Sequence, residues 1–279
     1  MLDITSTTKL NSGHDMPLLG YGVFEVQAGE VCERAVLDAL EAGYRHIDTA
    51  AGYRNEESVG KAIAASGVPR EELFVTTKVF IQDFGLEKTR QACEKSLELL
   101  GMHYVDLYLI HWPCDETMME AWEAMQALRD EGRIRSIGVS NFTVPRLNAT
   151  FLQHTDEVPA VNQVECHPFW SRRDVLDYCR GKGIQAEAYS PLARAQRMDE
   201  PTLVALAGTY GKSVAQVMIR WQLQHGVVAI PKSSRSERIA ENADVFDFEI
   251  GGEDMARIDA LDQGEDGCVL TWRPKGEWY

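Results

Sequence analysis

Residues able to move protons or hold charge recur at the ends of short apolar runs in this sequence. Asp48 lies in RHIDTA, Lys78 closes FVTTK, His111 follows LYLI, and Ser140 and Asn141 close IGVSN. Gln163 and Glu165 stand in VNQVE, and Tyr189 and Ser190 close AEAYS. Tyr53 comes five residues after Asp48, where a loop would follow the run. Each has an ordinary alternative. A histidine at a strand end is more often a structural hydrogen-bonding residue than a catalyst, and an Asp–Lys pair can simply tie two strand ends together. Lysine is seldom buried unless paired or functional, and a barrel lysine can also form a Schiff base with a carbonyl compound. No metal centre is expected: His111, Cys114, Cys166 and His167 match none of the compact zinc spacings. Cys114 reads as a thiol at the rim of the site.

Side chains so far apart in sequence need a frame to bring them together. Eight short runs rich in Val, Ile and Leu read as strands: 18–22, 45–49, 73–78, 105–111, 134–140, 160–165, 184–189 and 227–231. They lack clean polar alternation, which suits parallel strands covered on the outside. Between them lie helical patterns at 31–42, 56–66, 87–100, 118–130, 144–152, 172–180 and 214–224. Glycine follows most of these runs as a stop signal, with Gly181 and Gly226 assigned to the last two. Strand and helix alternating eight times predicts an α/β fold, a (β/α)8 TIM barrel over residues 1–279 as one domain. A doubly wound sheet is the rival, but no GxGxxG follows the first strand. Residues 7–17 read as a hairpin turning near Asn11–Gly13 and capping the barrel floor. A short helix at 202–208 and extra C-terminal helices at 235–242 and 253–261 add to the count. The tail from Asp262 holds two Trp and one Tyr with little periodicity.

The balance of 43 acidic and 28 basic residues, net −15, speaks against a general affinity for nucleic acid backbone. It leaves room for a small basic pocket that takes one phosphate. The six cysteines are scattered without a CxxC, which points to a reducing compartment and no disulfide scaffold. The N-terminus has no long apolar run, so no signal peptide is expected. No stretch approaches 18 apolar residues, so no membrane span is expected either.

The stretches GYRHIDTAAGYRNEESVG at 43–60, VDLYLIHWP at 105–113, IRSIGVSNF at 134–142 and VVAIPKSSRSERIAENADVFDFE at 227–249 carry a resemblance. Together they make the chain similar to the aldo-keto reductases, in particular the small 2,5-diketo-gluconate reductase and trypanosomatid prostaglandin F synthase type. The resemblance covers nearly the whole chain. It implies a monomeric cytoplasmic barrel that uses NADPH/NADP+ to reduce a small-molecule carbonyl substrate. The family's catalytic tetrad falls on Asp48, Tyr53, Lys78 and His111. The cofactor positions fall on Gly22, Val23, Asp48, Ser140, Asn141, Gln163, Tyr189, Ser190 and Leu192. Those for its phosphate and adenine end fall on Lys232, Ser233, Arg238, Glu241 and Asn242. Three pocket positions often held by Trp in relatives carry Phe24, Phe80 and Trp112, and Trp272 of the tail is a candidate for closing the pocket. The segment after Pro113 is brief, so the rim loop is expected to be reduced.

Chemistry gives the tetrad its roles. Hydride delivery to a carbonyl carbon leaves an alkoxide-like oxygen that needs a proton. A free tyrosine, with a pKa of about 10, is a poor donor at neutral pH, and a neighbouring ammonium is expected to lower that value. Lys78 supplies the charge, Asp48 keeps it in place, and His111 orients the carbonyl oxygen or shares proton delivery. Two other readings stay open at this level: a nucleotide-binding regulatory barrel with little turnover, and a Schiff-base or phosphate-site barrel lyase or isomerase.

Overall fold

The computed structural model describes residues 2–114 and 117–270. Eight parallel strands follow one another in sequence order: β3 (Tyr21–Gly22), β4 (His46–Asp48), β5 (Phe74–Val79), β6 (Val105–Ile110), β7 (Ile134–Ser140), β8 (Val161–Glu165), β9 (Gln185–Tyr189) and β10 (Val228–Ala229). A parallel bridge between Leu19 and Ala229 closes the ring. At that seam Gly20 N–H donates to the Ala229 carbonyl at 2.9 Å and Ala229 N–H to the Leu18 carbonyl at 3.1 Å. The first and last strands are shorter than the runs 18–22 and 227–231, because the seam pairs only at scattered positions.

Helices α1 (Glu30–Glu41), α2 (Glu56–Ser66), α3 (Leu86–Leu100), α4 (Met118–Asp130), α5 (Arg173–Lys182) and α7 (Val214–Gln224) cover the barrel, with α6 (Pro201–Tyr210), α8 (Ser236–Ala243) and α9 (Gly252–Asp259) added. Two expectations change. Helix α5 runs through Gly181 and ends at Gly183, which takes the left-handed conformation (φ 69°) that closes the last turn. The pattern at 144–152 forms a wide π-type turn over Arg146–Phe151.

Side chains alternate along the strands once the structure is seen. Ile47, Val75, Val79, Tyr108, Ile110, Ile137, Val139 and Val164 belong to the large core cluster between strands and helices. The other face fills the barrel in levels. At the bottom, Phe74, Leu107, Leu109, Val161 and Val228 meet Leu10 and Met16 of the hairpin β1 (Thr7–Lys9) and β2 (Asp15–Pro17). This hairpin seals the floor as its pattern predicts. Above lie the buried polar residues His46, Asp48, Thr76, Lys78, Gln163 and Glu187.

The described part of the tail is tied down. Gln263 N–H donates to the Phe169 carbonyl at 3.0 Å, and Val269 N–H to Glu165 at 2.6 Å. Gly267 lies so close to Phe169 that an added Cβ would stand 1.9 Å from its carbonyl oxygen. Trp272 lies outside the described residues.

Met16 is fully buried in the floor cluster. Met16→Ala should lower unfolding stability by about 2–5 kcal/mol. Urea unfolding measures this, and a loss well under about 1 kcal/mol would show that the hairpin does not seal the barrel.

Candidate active site

The C-terminal ends of the strands present the expected groups together. Asp48 ends β4, Lys78 lies near the end of β5, His111 follows β6, Ser140 ends β7, and Tyr189 ends β9. Tyr53 sits on a single turn of 3-10 helix, Ala51–Tyr53, after β4. Asn55 locks this loop. Its Nδ2 donates to the Val23 and Val26 carbonyls at 2.9 and 3.2 Å, and its Oδ1 accepts from Thr49 Oγ1 at 2.9 Å.

Lys78 is the centre of the group. It is fully buried, and its Nζ donates to both Asp48 oxygens at 2.7 and 2.8 Å and to the Thr49 carbonyl at 2.8 Å. The Tyr53 hydroxyl lies 3.3 Å away. Burial alone would lower the Lys78 pKa, but Asp48 and then Tyr53 outweigh it and raise it. The ammonium therefore keeps its proton.

The phenol departs from expectation. Burial pushes the Tyr53 hydroxyl up to about 12, although Lys78 pulls the other way, with Asp48 and Glu187 adding to the rise. The ammonium softens the desolvation effect and does not reverse it. Tyr53 thus carries its proton throughout the neutral range. Burial and then Lys78 hold the His111 imidazole well below its usual range, so it is neutral. Its ring lies edge-on to Tyr53 at 5.5 Å and to Phe80 at 5.7 Å, and it stacks on Trp112 at 6.5 Å.

A trough of about 910 Å³ opens above these groups. Phe24, Phe80 and Trp112 line its near end beside Tyr53 and His111. Met198 and Leu270 also line it and went unnoticed in the sequence, because neither sits at a strand end. Its floor holds Ser140, Asn141, Gln163 and Tyr189 in one network. Ser140 Oγ donates to the Gln163 carbonyl at 2.9 Å, Asn141 Nδ2 to the His111 carbonyl at 2.9 Å, and Tyr189 OH to Asn141 Oδ1 at 2.7 Å. These donors are spent on the protein, so the floor offers mainly acceptor lone pairs. That suits the –NH2 of a carboxamide.

The far end is lined by Lys232, Ser233, Arg238, Glu241 and Asn242, with Gly22, Ser190 and Leu192 between. The Tyr21 hydroxyl fixes this end by donating to the Ser233 carbonyl at 2.5 Å. Two cationic side chains and a hydroxyl at one end of a long trough, with acceptors and an aromatic ring at the other, fit a phosphorylated dinucleotide. Val23 does not share the trough. Its side chain is buried, and its backbone N–H and carbonyl are taken by Asp48 and Asn55. Glu165, also a strand-end candidate, binds His167 and the tail instead. Cys114 does not line the trough.

Arg194 and Glu25 add an ion pair at the trough that no motif marks. They pair at 2.7 Å across the trough, from the loops after β9 and β3. Glu25 and the three consecutive residues Ala193, Arg194 and Ala195 all have positive φ. Nothing local in the sequence announces a pair 169 positions apart. Among the described residues no cluster of His, Cys, Asp or Glu could hold a metal, and no helix is long and apolar enough to cross a membrane.

A closed parallel barrel whose open rim sets a protonated phenol beside a paired ammonium defines a class, the barrel oxidoreductases that act on carbonyl groups. Residues 19–263 match the Aldo/keto reductase family, and the chain belongs to it. It is 52% identical over 262 residues to "Glyoxal reductase" of Bacillus subtilis (strain 168), covering 94% of this chain and 95% of that protein. The crystal structure of an aldo/keto reductase from Brucella melitensis superposes with a TM-score of 0.89 at 45% identity, covering 92% of this chain and 99% of that one. A Bombyx mori aldo-keto reductase in complex with NADP gives 0.88 at 38% identity, covering 97% and 96%.

The buried imidazoles allow a direct check. Burial and then Lys78 push His46 down to about 3, and His111 is lowered likewise. In the unfolded chain both take up protons below about 6.5. Their contribution to stability is therefore complete above that pH and declines as pH falls from there toward the folded values. Glu187, raised to about 8 by burial and then Asp48, acts with the opposite sign as pH climbs from the usual carboxylate range through its folded value. Ring ¹⁵N NMR should find both histidines uncharged at pH 5. A His111 ring that titrates near about 6.5 would contradict the burial argument.

Proposed function

We propose that this protein reduces small aldehydes and ketones to alcohols with NADPH, and that α-dicarbonyl compounds of the glyoxal type are its best substrates. The observation that carries this reading is the Tyr53 hydroxyl 3.3 Å from an ammonium locked to Asp48, at the near end of a trough whose far end is cationic. When bound, the dihydronicotinamide supplies the hydride. The chain does the rest. Tyr53 gives its proton to the carbonyl oxygen. Even a phenol raised to about 12 is a better acid than an alcohol with a pKa near that of water, about 16, so the transfer runs downhill. Lys78 stabilises the phenolate left behind, and Asp48 keeps Lys78 charged and aimed. Neutral His111 orients the carbonyl oxygen without placing a second positive charge beside Lys78.

The aromatic wall of Phe24, Phe80 and Trp112 favours compact carbonyl compounds without a chain of hydroxyl groups over open-chain sugars. The Bacillus subtilis relative named glyoxal reductase agrees with that preference. Likeness to the diketo-gluconate reductase and prostaglandin F synthase type concerns motifs and the four reactive residues, and glyoxal-type substrates differ from those that both names imply. The preference for NADPH over NADH rests on Lys232, Ser233 and Arg238. Arg235 lies outside the trough and has no part in that preference. We further read the chain as a single-domain, monomeric, cytoplasmic enzyme.

A Schiff-base role for Lys78 is disfavoured, because a protonated amine bonded to both Asp48 oxygens has no lone pair to offer. A regulatory barrel would have no need of the bonded Asp48–Lys78–Tyr53 set.

Tyr53→Phe keeps the ring and removes the proton. Turnover of methylglyoxal should fall by about 10²–10⁴-fold with NADPH affinity unchanged. Retention of more than about a tenth of wild-type kcat rules out Tyr53 as the donor. Arg238→Ala should weaken NADPH by about tenfold, or about 1.4 kcal/mol, while leaving NADH binding and kcat nearly unaffected. Fluorescence titration with both cofactors decides this, and equal losses would mean that Arg238 only supports its segment.

A further inference from the structure

Glu187 has no part in the chemistry described above, yet it is fully buried at the centre of the barrel. It sits on β9 in register with Gln163 on β8. A carboxyl group taken out of water is costly unless its hydrogen bonding accomplishes something. One of its oxygens, Oε2, accepts from Gln163 Nε2 at 2.8 Å. The same nitrogen donates to Asp48 Oδ2, also at 2.8 Å.

We propose that Glu187 is a positioning residue for the cofactor: together with Asp48 it pins the Gln163 amide nitrogen inward, so that the amide oxygen is the group offered to the trough. An amide nitrogen has two hydrogens, and two carboxyl groups claim both. Turning the amide over would press its oxygen against the ionised Asp48 Oδ2 at 2.8 Å, a repulsive contact, and would cost Glu187 Oε2 the N–H that it accepts. The orientation is therefore dictated by the neighbours. Gln163 lines the trough, and its remaining oxygen is an acceptor there. This inference rests on the reading that the trough takes NADP(H), and it gives that reading a selectivity: an acceptor discriminates in favour of a nicotinamide whose carboxamide carries N–H donors.

The other face of Glu187 fits the same role. Its Oε1 is 3.6 Å from His46 Nε2 and has no hydrogen-bond partner among the described residues. His46 Nε2 is engaged with Thr76 Oγ1 at 3.1 Å. Burial and the nearby Asp48 keep Glu187 protonated near neutrality. Because Oε2 is accepting, the proton belongs on Oε1. A neutral carboxylic acid accepts from Gln163 without placing a second negative charge beside the Asp48–Lys78 pair. A glutamine at this position can do the same through its amide oxygen.

Three probes test the proposal by equilibrium binding to the full chain: NADP+, its 3-acetylpyridine analogue, in which a methyl group replaces the carboxamide –NH2, and 2′,5′-ADP, which has no nicotinamide. Glu187→Met should weaken NADP+ by about fivefold, the scale of one hydrogen bond between neutral groups. The analogue and 2′,5′-ADP should change by less than about twofold. Glu187→Gln should restore NADP+ binding. In a Gln163→Met background, adding Glu187→Met should cause no further loss, because the residue acts through Gln163. Glu187→Asp, which withdraws the oxygens while keeping the acid, should lose NADP+ affinity as E187M does, and it decides the matter if E187M does not fold. Equal weakening of NADP+ and the analogue, or unchanged NADP+ binding in E187M or E187D, overturns the proposal. If the wild type binds 2′,5′-ADP and NADP+ but not more tightly than the analogue, the positioning role fails and the cofactor reading stands. If it binds none of the three, the cofactor reading itself fails.

Discussion

A lysine ammonium buried in the middle of a protein must be held by something, and here Asp48 holds Lys78 with both of its oxygens. Breaking such a pair by removing one partner costs about 3–5 kcal/mol, because the other charge is left stranded. Strand register supplies the geometry. β4 and β5 run side by side with Asp48 opposite Thr76, so the lysine two residues further on can reach back to the neighbouring strand. Every other titratable group nearby has settled around this one pair. His46 and His111 are neutral, Glu187 is protonated, and Tyr53 keeps its hydroxyl hydrogen. The heart of the site thus carries one positive and one negative charge at rest, and Lys78 stands 3.3 Å from the hydroxyl whose phenolate it must stabilise once the proton has left.

The barrel is graded from floor to rim. The hairpin and the lower strand residues form an apolar plug. The middle level is polar and closed to solvent, and the upper level opens into the trough. The plug keeps water from reaching the ion pair from below, and the polar level fixes side chains that the open rim could not hold by itself. Gln163 belongs to both upper levels: it is buried, bonded inward, and lines the trough.

Much of this was legible from residue order. The strands and helices followed from apolar runs and glycine stops, and the four reactive residues from their places at strand ends and from family likeness. What escaped has physical causes. Gly181 looked like a stop, but nothing prevents a glycine from continuing a helix for two more residues when Gly183 can close it. The Tyr53 phenol was expected below its ordinary value because charge proximity is visible in a motif, whereas desolvation depends on what surrounds the ring. Val23 sits next to trough residues in sequence but turns its side chain into the wall. The Arg194–Glu25 pair and the Glu187–Gln163–Asp48 chain join residues on different strands or loops. The alternation Gln185, Glu187, Tyr189 along β9 was the one signal that could have marked an inward acid in a strand otherwise taken as apolar.

The approach of Gly267 to the Phe169 carbonyl has a consequence for how such a catalyst can diversify. The segment that brings Leu270 to the trough is anchored by contacts to Phe169, Ser171 and Glu165, none of which takes part in proton or hydride transfer. The reaction centre and the edge of the trough at Leu270 are therefore held by separate sets of bonds, whereas the wall of Phe24, Phe80 and Trp112 packs on the centre itself. Exchanging Leu270 would reshape that edge while leaving the proton-transfer apparatus intact, so one side of the entrance is free to diversify without cost to the catalyst.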